Sequence, residues 1–372
     1  MLRKLKLADH LLLTAIGTLV LIGFIMVLSV TPVIGLKLFN NSFYFIIRQI
    51  VFLFLGFGLF VLALNINITK LHKYAITGII AAWGVLLLTY VPFLRLTAGG
   101  ASRWLNLGIL SFQPSDIVKI FVILYVAHVV DKRKGIMHNL QRGLLPTVAV
   151  VGFVALFVLM QPDLGTTFVI LSTTLVMTVV GGANFLEILI MTLLGIRLVS
   201  FMMMRNPYQI QRLLTFMDPW KDPLGAGFNT IQSLLAVGSG WIFGVGLGHS
   251  SQKFEYLPQQ FTDYIFAIIC EEGGFLVGSI VIICFALLVT RGIRIALKSE
   301  DRFIQLLAVG ISWCLGIQAC INIMVVTAMM PAKGITLPFI SYGGTSLMVC
   351  LFLAGILVNL STTVDNSKMP AV

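Results

Sequence analysis

Charged side chains are scarce in this 372-residue chain. They make up 10% of it, whereas 58% of the residues are hydrophobic and the mean hydropathy is +1.01. Soluble globular domains carry about 25% charged residues, so this composition excludes that class and predicts a polytopic membrane protein. The net charge of +11 does not predict nucleic-acid binding, because the basic residues stand in short stretches between apolar runs instead of forming one basic face.

Cysteine is rare and follows no metal or disulfide pattern. None of the five cysteines belongs to a CxxC or Cys/His motif, and all five lie in apolar segments, so they are predicted to be buried filling residues. They are Cys270, Cys284, Cys314, Cys320 and Cys350. A nucleotide loop is not expected either, because the glycines of residues 244–248 follow no strand and precede no P-loop lysine.

Long apolar runs dominate the sequence. Crossing a bilayer as a helix takes about 20 apolar residues, and about ten runs approach that length. The first run has too long an apolar core for a signal peptide and no A-x-A site, so we expect an uncleaved span. The predicted fold is a single all-α membrane domain over residues 1–372. Its spans are 11–30, 43–64, 74–91, 115–130, 144–161, 164–180, 185–204, 264–289, 303–330 and 343–360.

The positive charges predict which loops face the cytoplasm. Basic residues fall in alternate loops, at 70–73, 132–142 and 291–302, as the positive-inside rule expects if both termini are cytoplasmic. Residues 95–115, the long loop at about 205–262 and residues 331–342 then lie on the outer face. In the long loop, residues 218–225 predict successive turns, and Phe228, Ile231 and Leu235 recur at the spacing of an interfacial helix that folds back on the bundle.

Three carboxylates stand at the foot of the eighth span: Asp263, Glu271 and Glu272. Pro258 should end the preceding element, and Thr262 is predicted to cap the helix that follows. Asp263 would then lie in the first turn, on the same face as Glu271. Carboxylates at the mouth of a membrane helix make this a candidate catalytic site.

Other ionisable residues near the membrane leave two interpretations open. Asp116 and Lys119, spaced i,i+3, predict either a self-satisfying ion pair or part of a polar cavity. Asp163, in a very short hairpin after Gln161 and Pro162, predicts either a helix cap or a functional carboxylate.

The arginines around the seventh span also have two possible interpretations each. Arg205 and Arg212 flank Gln209 at the predicted outer mouth, where arginines either reach lipid headgroups or bind a diphosphate. Arg197 is predicted to lie deep in the span, and its role is either pairing with a neighbouring helix or function.

Several motifs together resemble one family. In order along the chain, and on the side expected for that family, they resemble the SEDS proteins, which comprise FtsW, RodA and SpoVE. Residues 243–248 and 333–339 are more similar to division-type FtsW than to RodA. The motifs are residues 100–108, which include Arg103, and residues 112–115, 161–165, 222–227 and 337–344.

The resemblance implies a ten-helix peptidoglycan glycosyltransferase that polymerises lipid II on the outer face of the bacterial plasma membrane, at the division septum or during wall growth. The family's catalytic carboxylate falls on Asp263, and its cavity residues match Asp116, Lys119, Asp163 and Arg212. With Arg103, Arg205 and Gln209, these are the candidate substrate-binding residues. The implied partners are lipid-linked glycan, a class B penicillin-binding protein and other divisome or elongasome membrane proteins.

Two positions depart from the family pattern. Gln259-Gln260-Phe261 replaces the usual Glu-Ala-His before Thr-Asp, which puts a role of that glutamate or histidine in doubt. Trp241 follows Gly240 where a second glycine is usual, which is expected to stiffen the loop. Gly274 and Gly278 form a G-x-x-x-G pair that offers either a partner surface or internal packing.

The implied chemistry suits these residue types. A β-1,4 link formed from an α-linked diphosphate donor requires inversion, with a base for the attacking hydroxyl and cations for the leaving diphosphate. Asp263 is the predicted base, and Lys119, Arg212 or a divalent cation such as Mg²⁺ or Mn²⁺ is the predicted charge partner. Two alternatives remain: a lipid II flippase, and a non-catalytic scaffold of the wall-synthesis complex.

Overall fold

The computed structural model describes residues 8–91, 95–98, 101–106, 111–204, 207–250, 261–332 and 334–366. Within these ranges the chain forms twelve α-helices and three short strands. The helices are α1 (His10–Phe39), α2 (Tyr44–Asn65), α3 (Ile68–Leu88), α4 (Pro114–Lys132), α5 (Leu145–Met160), α6 (Leu164–Val180), α7 (Phe185–Met204), α8 (Pro207–Met217), α9 (Phe228–Ser239), α10 (Ile265–Lys298), α11 (Arg302–Val326) and α12 (Gly344–Asn366).

The membrane class is confirmed, and ten of these helices correspond to the ten predicted spans. In the described ranges, seven helical segments are long and apolar enough to cross a bilayer, and α6 is a shorter apolar helix of 17 residues. The bounds of α6 and α7 are those predicted. The number of spans and their orientation stay predictions, because length and composition alone identify the segments.

Several helices extend beyond the apolar runs that predicted them. Capping side chains mark the start of two of them: Asp9 Oδ1 accepts the Leu12 amide hydrogen at 3.1 Å before α1, and Asn67 Oδ1 accepts that of Thr69 at 3.1 Å before α3. α10 runs on to Lys298 instead of ending near Val289. Basic residues in a last helical turn are favourable, because they face the negative end of the helix dipole.

A small antiparallel sheet interrupts the all-α pattern. Its strands are β1 (Arg95–Ala98), β2 (Ala101–Asn106) and β3 (Ser111–Phe112), in the order β1-β2-β3. The sheet was not predicted, because strands of two to six residues carry too little periodicity. The sheet leads directly into α4.

Contacts between helix ends define two ends of the bundle. At one end, Arg291 Nε donates to Asp9 at 2.6 Å, and Arg302 donates to the Gly181 carbonyl at 2.6 Å. We call this the basic end, because residues 70–73, 132–142 and 291–302 lie there. α10 begins at the opposite end, which we call the site end.

The predicted outer-loop elements are present. A short 3-10 helix at Pro219–Lys221 and turns through residue 227 lead into α9. Ile231 is buried, and the Ser233 hydroxyl donates to the Val326 carbonyl of α11 at 2.7 Å. α9 therefore folds back on the bundle, as predicted.

A break in α10 was not predicted. Gly274 has φ 66° and ψ −168°, which interrupts the helix, and the glycine-rich segment after α9 bonds to both sides of the break. Val245 N donates to the Glu271 carbonyl at 2.9 Å, and Phe275 N donates to the Trp241 carbonyl at 2.8 Å. These bonds satisfy backbone groups that the break leaves without helical partners, which matters greatly in an apolar surrounding.

The packing around the break shows what the nearby glycines contact. A Cβ on Gly274 would lie 2.4 Å from the Gly244 nitrogen, and one on Gly278 would lie 3.0 Å from Cys270 Sγ, so both glycines pack internally. The contact with Gly244 therefore rules out Gly274 of the G-x-x-x-G pair as part of a partner surface. Trp241 has φ 46°, in the left-handed region that favours glycine, which explains physically why glycine suits this position.

The prediction for the cysteines is largely right. Cys270, Cys284, Cys314 and Cys350 are buried, but Cys320 is exposed. Its position on α11 faces away from the bundle interior, which an apolar segment alone does not reveal.

Candidate active site

A cavity of about 220 Å³ opens at the site end. It lies between α8, the start of α9, the turn before α10 and the segment that follows α11. Arg212 and Thr215 of α8, Thr230 of α9, Asp263, Met330 and Ile335 are among the residues that line it. The cavity therefore brings together the predicted base and one predicted diphosphate ligand, although they are 51 positions apart in the sequence (263 minus 212).

Asp263 lies just before α10 rather than in its first turn. The helix begins at Ile265 with Tyr264 as the N-cap residue, so the prediction that Thr262 is the cap was wrong. Tertiary hydrogen bonds explain the difference. Asn322 Nδ2 donates to the Asp263 carbonyl at 2.8 Å, and the Ser341 hydroxyl donates to the carbonyl of Thr262. These bonds hold residues 262–263 in a turn at the positive end of the helix.

The segment after α11 forms the opposite wall of the cavity. Asn322 Nδ2 also donates to the Ile335 carbonyl at 2.7 Å, so a single buried amide joins both walls. The Tyr342 amide donates to the Phe261 carbonyl at 2.9 Å, a further link between the same two segments. The motif at residues 337–344 thus supports the turn that carries Asp263.

Phe261, one of the departures from the family pattern, packs in an aromatic cluster. Its ring centroid lies 5.3 Å from that of Phe45 and 5.6 Å from that of Tyr342, and the Phe45 and Tyr342 rings are 5.3 Å apart. Such pairs contribute about 0.5 to 1.5 kcal/mol beyond the burial of their surface. An aromatic residue at position 261 therefore stabilises the turn by packing, where a histidine would also offer a polar atom. Gln259 and Gln260 lie outside the described residues.

Arg212 lines the cavity from α8. Its Nη1 donates to the Ala332 carbonyl at 3.1 Å, which ties the guanidinium to the opposite wall. A guanidinium carries five N–H donors in a planar fork that suits phosphate oxygens. This placement fits the prediction that Arg212 contacts a diphosphate, which stays a prediction.

Asp116 and Lys119 form a buried ion pair. Lys119 Nζ lies 2.7 Å from Asp116 Oδ1 and donates to Gln318 Oε1 of α11 at 2.8 Å. The Gln318 amide in turn donates to the Thr336 carbonyl at 3.0 Å, next to Ile335 of the cavity wall. Of the two predicted roles, the structure shows the ion pair. Lys119 does not line the cavity among the described residues; it is linked to one wall through Gln318.

Asp163 caps α6 and also joins α6 to α4. Its Oδ1 accepts the Thr166 amide hydrogen at 3.1 Å, and its Oδ2 accepts bonds from Gln113 Nε2 and the Ser115 hydroxyl, both at 3.2 Å. The carboxylate is buried, so these donors replace water. The capping interpretation is thus confirmed, and a role in substrate binding stays a prediction.

The remaining candidates are only partly described. Arg205 lies outside the described residues, and Arg103 in β2 and Gln209 in α8 are described for the backbone alone. Arg197 is exposed on α7 and forms no ion pair with another described residue, so of its two interpretations the pairing with a neighbouring helix is not seen there.

Asn322 and Gln318, which organise the site, were not predicted from the sequence. Both are buried on α11, four residues apart, and each amide joins that helix to residues 335–336. Two carboxamides at i,i+4 in an apolar helix were an available signal, because buried amides need partners. No group of three or more His, Cys, Asp or Glu side chains in the described ranges is placed to hold a metal ion. A divalent cation therefore stays a prediction.

Comparison with known proteins finds similarity along nearly the whole chain. A family model for FtsW, RodA and SpoVE, described as "Cell cycle protein", matches residues 9–366. The probable peptidoglycan glycosyltransferase FtsW of Geobacter sulfurreducens is 38% identical over 360 residues, which cover 97% of this chain and 96% of that protein. The stage V sporulation protein E of Bacillus subtilis is 39% identical over 357 residues, which cover 96% of this chain and 98% of that protein.

Solved structures share the fold. A chain from a study of the "structural coordination of polymerization and crosslinking by a peptidoglycan synthase complex" matches with a TM-score of 0.79 and 28% identity, covering 95% of this chain and 97% of that one. The crystal structure of the rod shape determining protein RodA of Thermus thermophilus matches with a TM-score of 0.70 and 25% identity, covering 95% of this chain and 96% of that one.

Proposed function

This chain belongs to the family of FtsW, RodA and SpoVE and is a peptidoglycan glycosyltransferase, and we propose that it polymerises lipid II with Asp263 as the general base. The single observation that carries the site assignment is that Asp263 and Arg212 line the same cavity at the start of α10. The positive helix end and the guanidinium give this cavity the charge that an anionic, lipid-linked diphosphate requires.

The reaction assigns one task to each residue. The Asp263 carboxylate accepts the proton of the attacking sugar hydroxyl, whose oxygen forms the new bond to the anomeric carbon of the donor. The bond from that carbon to the diphosphate breaks, and the diphosphate leaves with the electron pair. Arg212 stabilises the negative charge that develops there. Attack opposite to the leaving group inverts an α-linked donor to a β-link.

The proposed location follows from the predicted topology. The site end would face outward, where lipid II presents its sugars, and the enzyme would act in the plasma membrane at the division septum. A class B penicillin-binding protein is the proposed partner, because glycan strands need cross-linking and a similar chain was studied within a peptidoglycan synthase complex.

The test of the base is the variant Asp263→Asn. It keeps the size and one hydrogen-bond acceptor but removes the basicity, and loss of a general base typically costs about 100- to 10,000-fold in rate. Purified protein would be given labelled lipid II, alone and with its transpeptidase, and the glycan polymer would be separated on a gel. We expect the variant to fold and to bind its partner normally while it makes almost no polymer.

Asp218→Asn is a matched control, because Asp218 is a carboxylate in the same outer loop that is not among the described residues lining the cavity and pairs with the exposed Lys221 at 3.7 Å. It should leave polymerisation nearly unchanged. Polymer formation by Asp263→Asn at a rate near wild type would refute the assignment. Lipid II movement across vesicles without any polymer would support the flippase alternative instead.

A further inference from the structure

A second cavity, of about 310 Å³, lies at the basic end of the bundle, away from Asp263. Its walls come from the start of α1, the last turns of α10 and the end of α12. Arg291, Arg294 and Lys298 line it, and their i, i+3, i+7 spacing places all three on one face of α10. Among the described residues that line this cavity, Asp9 is the only acidic one, so this part of the lining is cationic overall.

The Asp9 carboxylate is already engaged. It accepts hydrogen bonds from Arg291 Nε at 2.6 Å and from the Leu12 amide at 3.1 Å, so it neutralises Arg291 and caps α1. The side chains of Arg294 and Lys298 are exposed on the same wall. The first turn of α1 forms another wall, and the amides at a helix N-terminus favour an anion. Charge and helix geometry therefore both favour an anionic ligand.

Apolar surface adjoins these cations. Leu11 and Ile295 line the cavity, and the side chain of Leu11 is 52% exposed. Leu11 begins the first predicted span, so its exposed side chain faces acyl chains in a membrane-spanning bundle. The cavity therefore places cations beside a lipid-facing apolar surface, which matches the two chemical parts of a phospholipid.

We propose that this cavity binds the phosphate group of an anionic phospholipid, with Arg294 and Lys298 at the phosphate and Leu11 along an acyl chain. Under the predicted topology the lipid belongs to the cytoplasmic leaflet, where basic pockets between membrane helices bind anionic headgroups. The site is separate from the proposed polymerase cavity and does not depend on it.

The experiment is native mass spectrometry of the purified full chain with added phosphatidylglycerol or phosphatidylcholine. Each basic residue contributes about fivefold to binding at an anionic lipid surface, so Arg294→Gln combined with Lys298→Gln should weaken phosphatidylglycerol retention roughly 25-fold. Lys70→Gln combined with Lys73→Gln is the matched control, since both lysines are exposed at the same end of the bundle but outside the cavity. It should retain the lipid. The swap of Arg294→Lys with Lys298→Arg keeps the charge and should also retain it.

Specific outcomes would overturn the proposal. Equal loss of phosphatidylglycerol from both glutamine pairs would mean that the lipid is held by diffuse charge, and equal retention of phosphatidylcholine would mean that the headgroup charge is irrelevant. Displacement of the lipid by millimolar inorganic phosphate would assign the site to free phosphate. Binding of an acidic peptide in place of phosphatidylglycerol would assign it to a protein partner.

Discussion

Replacing Asn322 by leucine should separate positioning of the catalytic carboxylate from general stability. Leucine has a similar size but no donor, so the carbonyls of Asp263 and Ile335 lose bonds of 2.8 and 2.7 Å. The buried Ile335 carbonyl left without a donor costs about 1 to 3 kcal/mol, and the half-buried Asp263 carbonyl adds less because water can reach it. The cost falls on the two segments that form the cavity walls.

The chain provides a control of the same chemistry elsewhere. Asn359 of α12 is also buried, and its Nδ2 donates to the carbonyls of Ala63 and Ile66 at 3.0 and 2.8 Å. Asn359→Leu removes bonds of the same kind to two carbonyls at the basic end of the bundle. It should therefore lose at least as much thermal stability in detergent as Asn322→Leu.

Their polymerase activities should differ. A misplacement of about 1 Å can cost about 100-fold in rate, so Asn322→Leu should lower kcat strongly per folded molecule, with a smaller effect on KM. Asn359→Leu should keep the activity of its folded fraction. Lipid II polymerisation, normalised to protein that remains folded, measures this. Equal activities per folded molecule would refute a positioning role for Asn322.

Three further outcomes are expected. Gly240→Ala should disrupt the fold around α10, because its Cβ would lie 1.8 Å from the Cys270 carbonyl oxygen. The Cβ of Gly238→Ala meets nothing within 4 Å, so this variant should be neutral or stabilising by up to about 1 kcal/mol. Equal thermal unfolding temperatures for the two variants would contradict this. A reporter inserted at the exposed Gly225 should be active only outside the cell, and a strong cytoplasmic signal would reverse the predicted topology. Arg212→Gln should reduce kcat/KM for lipid II, whereas Lys221→Gln, which removes an exposed cation from the same loop, should not; equal effects would argue against a diphosphate contact by Arg212.

The membrane spans were predictable because they depend on local composition. An apolar run long enough to cross a bilayer must satisfy its own backbone hydrogen bonds, and a helix does so without reference to the rest of the chain. The bounds of α6 and α7 were correct for this reason, and the turns before α9 followed from Asp, Pro and Gly at successive positions. Asp263 and Arg212 were also named from the sequence, through their motif and their chemistry.

Only the tertiary structure decided the contacts between distant segments. That Asn322 joins the turn of Asp263 to Ile335, and that Gly274 breaks α10 where residues 241–246 can bond to it, depends on which helix ends meet in space. Asp116 and Lys119 were predicted to form either an ion pair or part of a polar cavity, and deciding between these roles likewise required the position of Gln318 on α11. Spacing along one helix fixes which residues share a face, but the partners of a buried polar group come from other helices, so packing determines them.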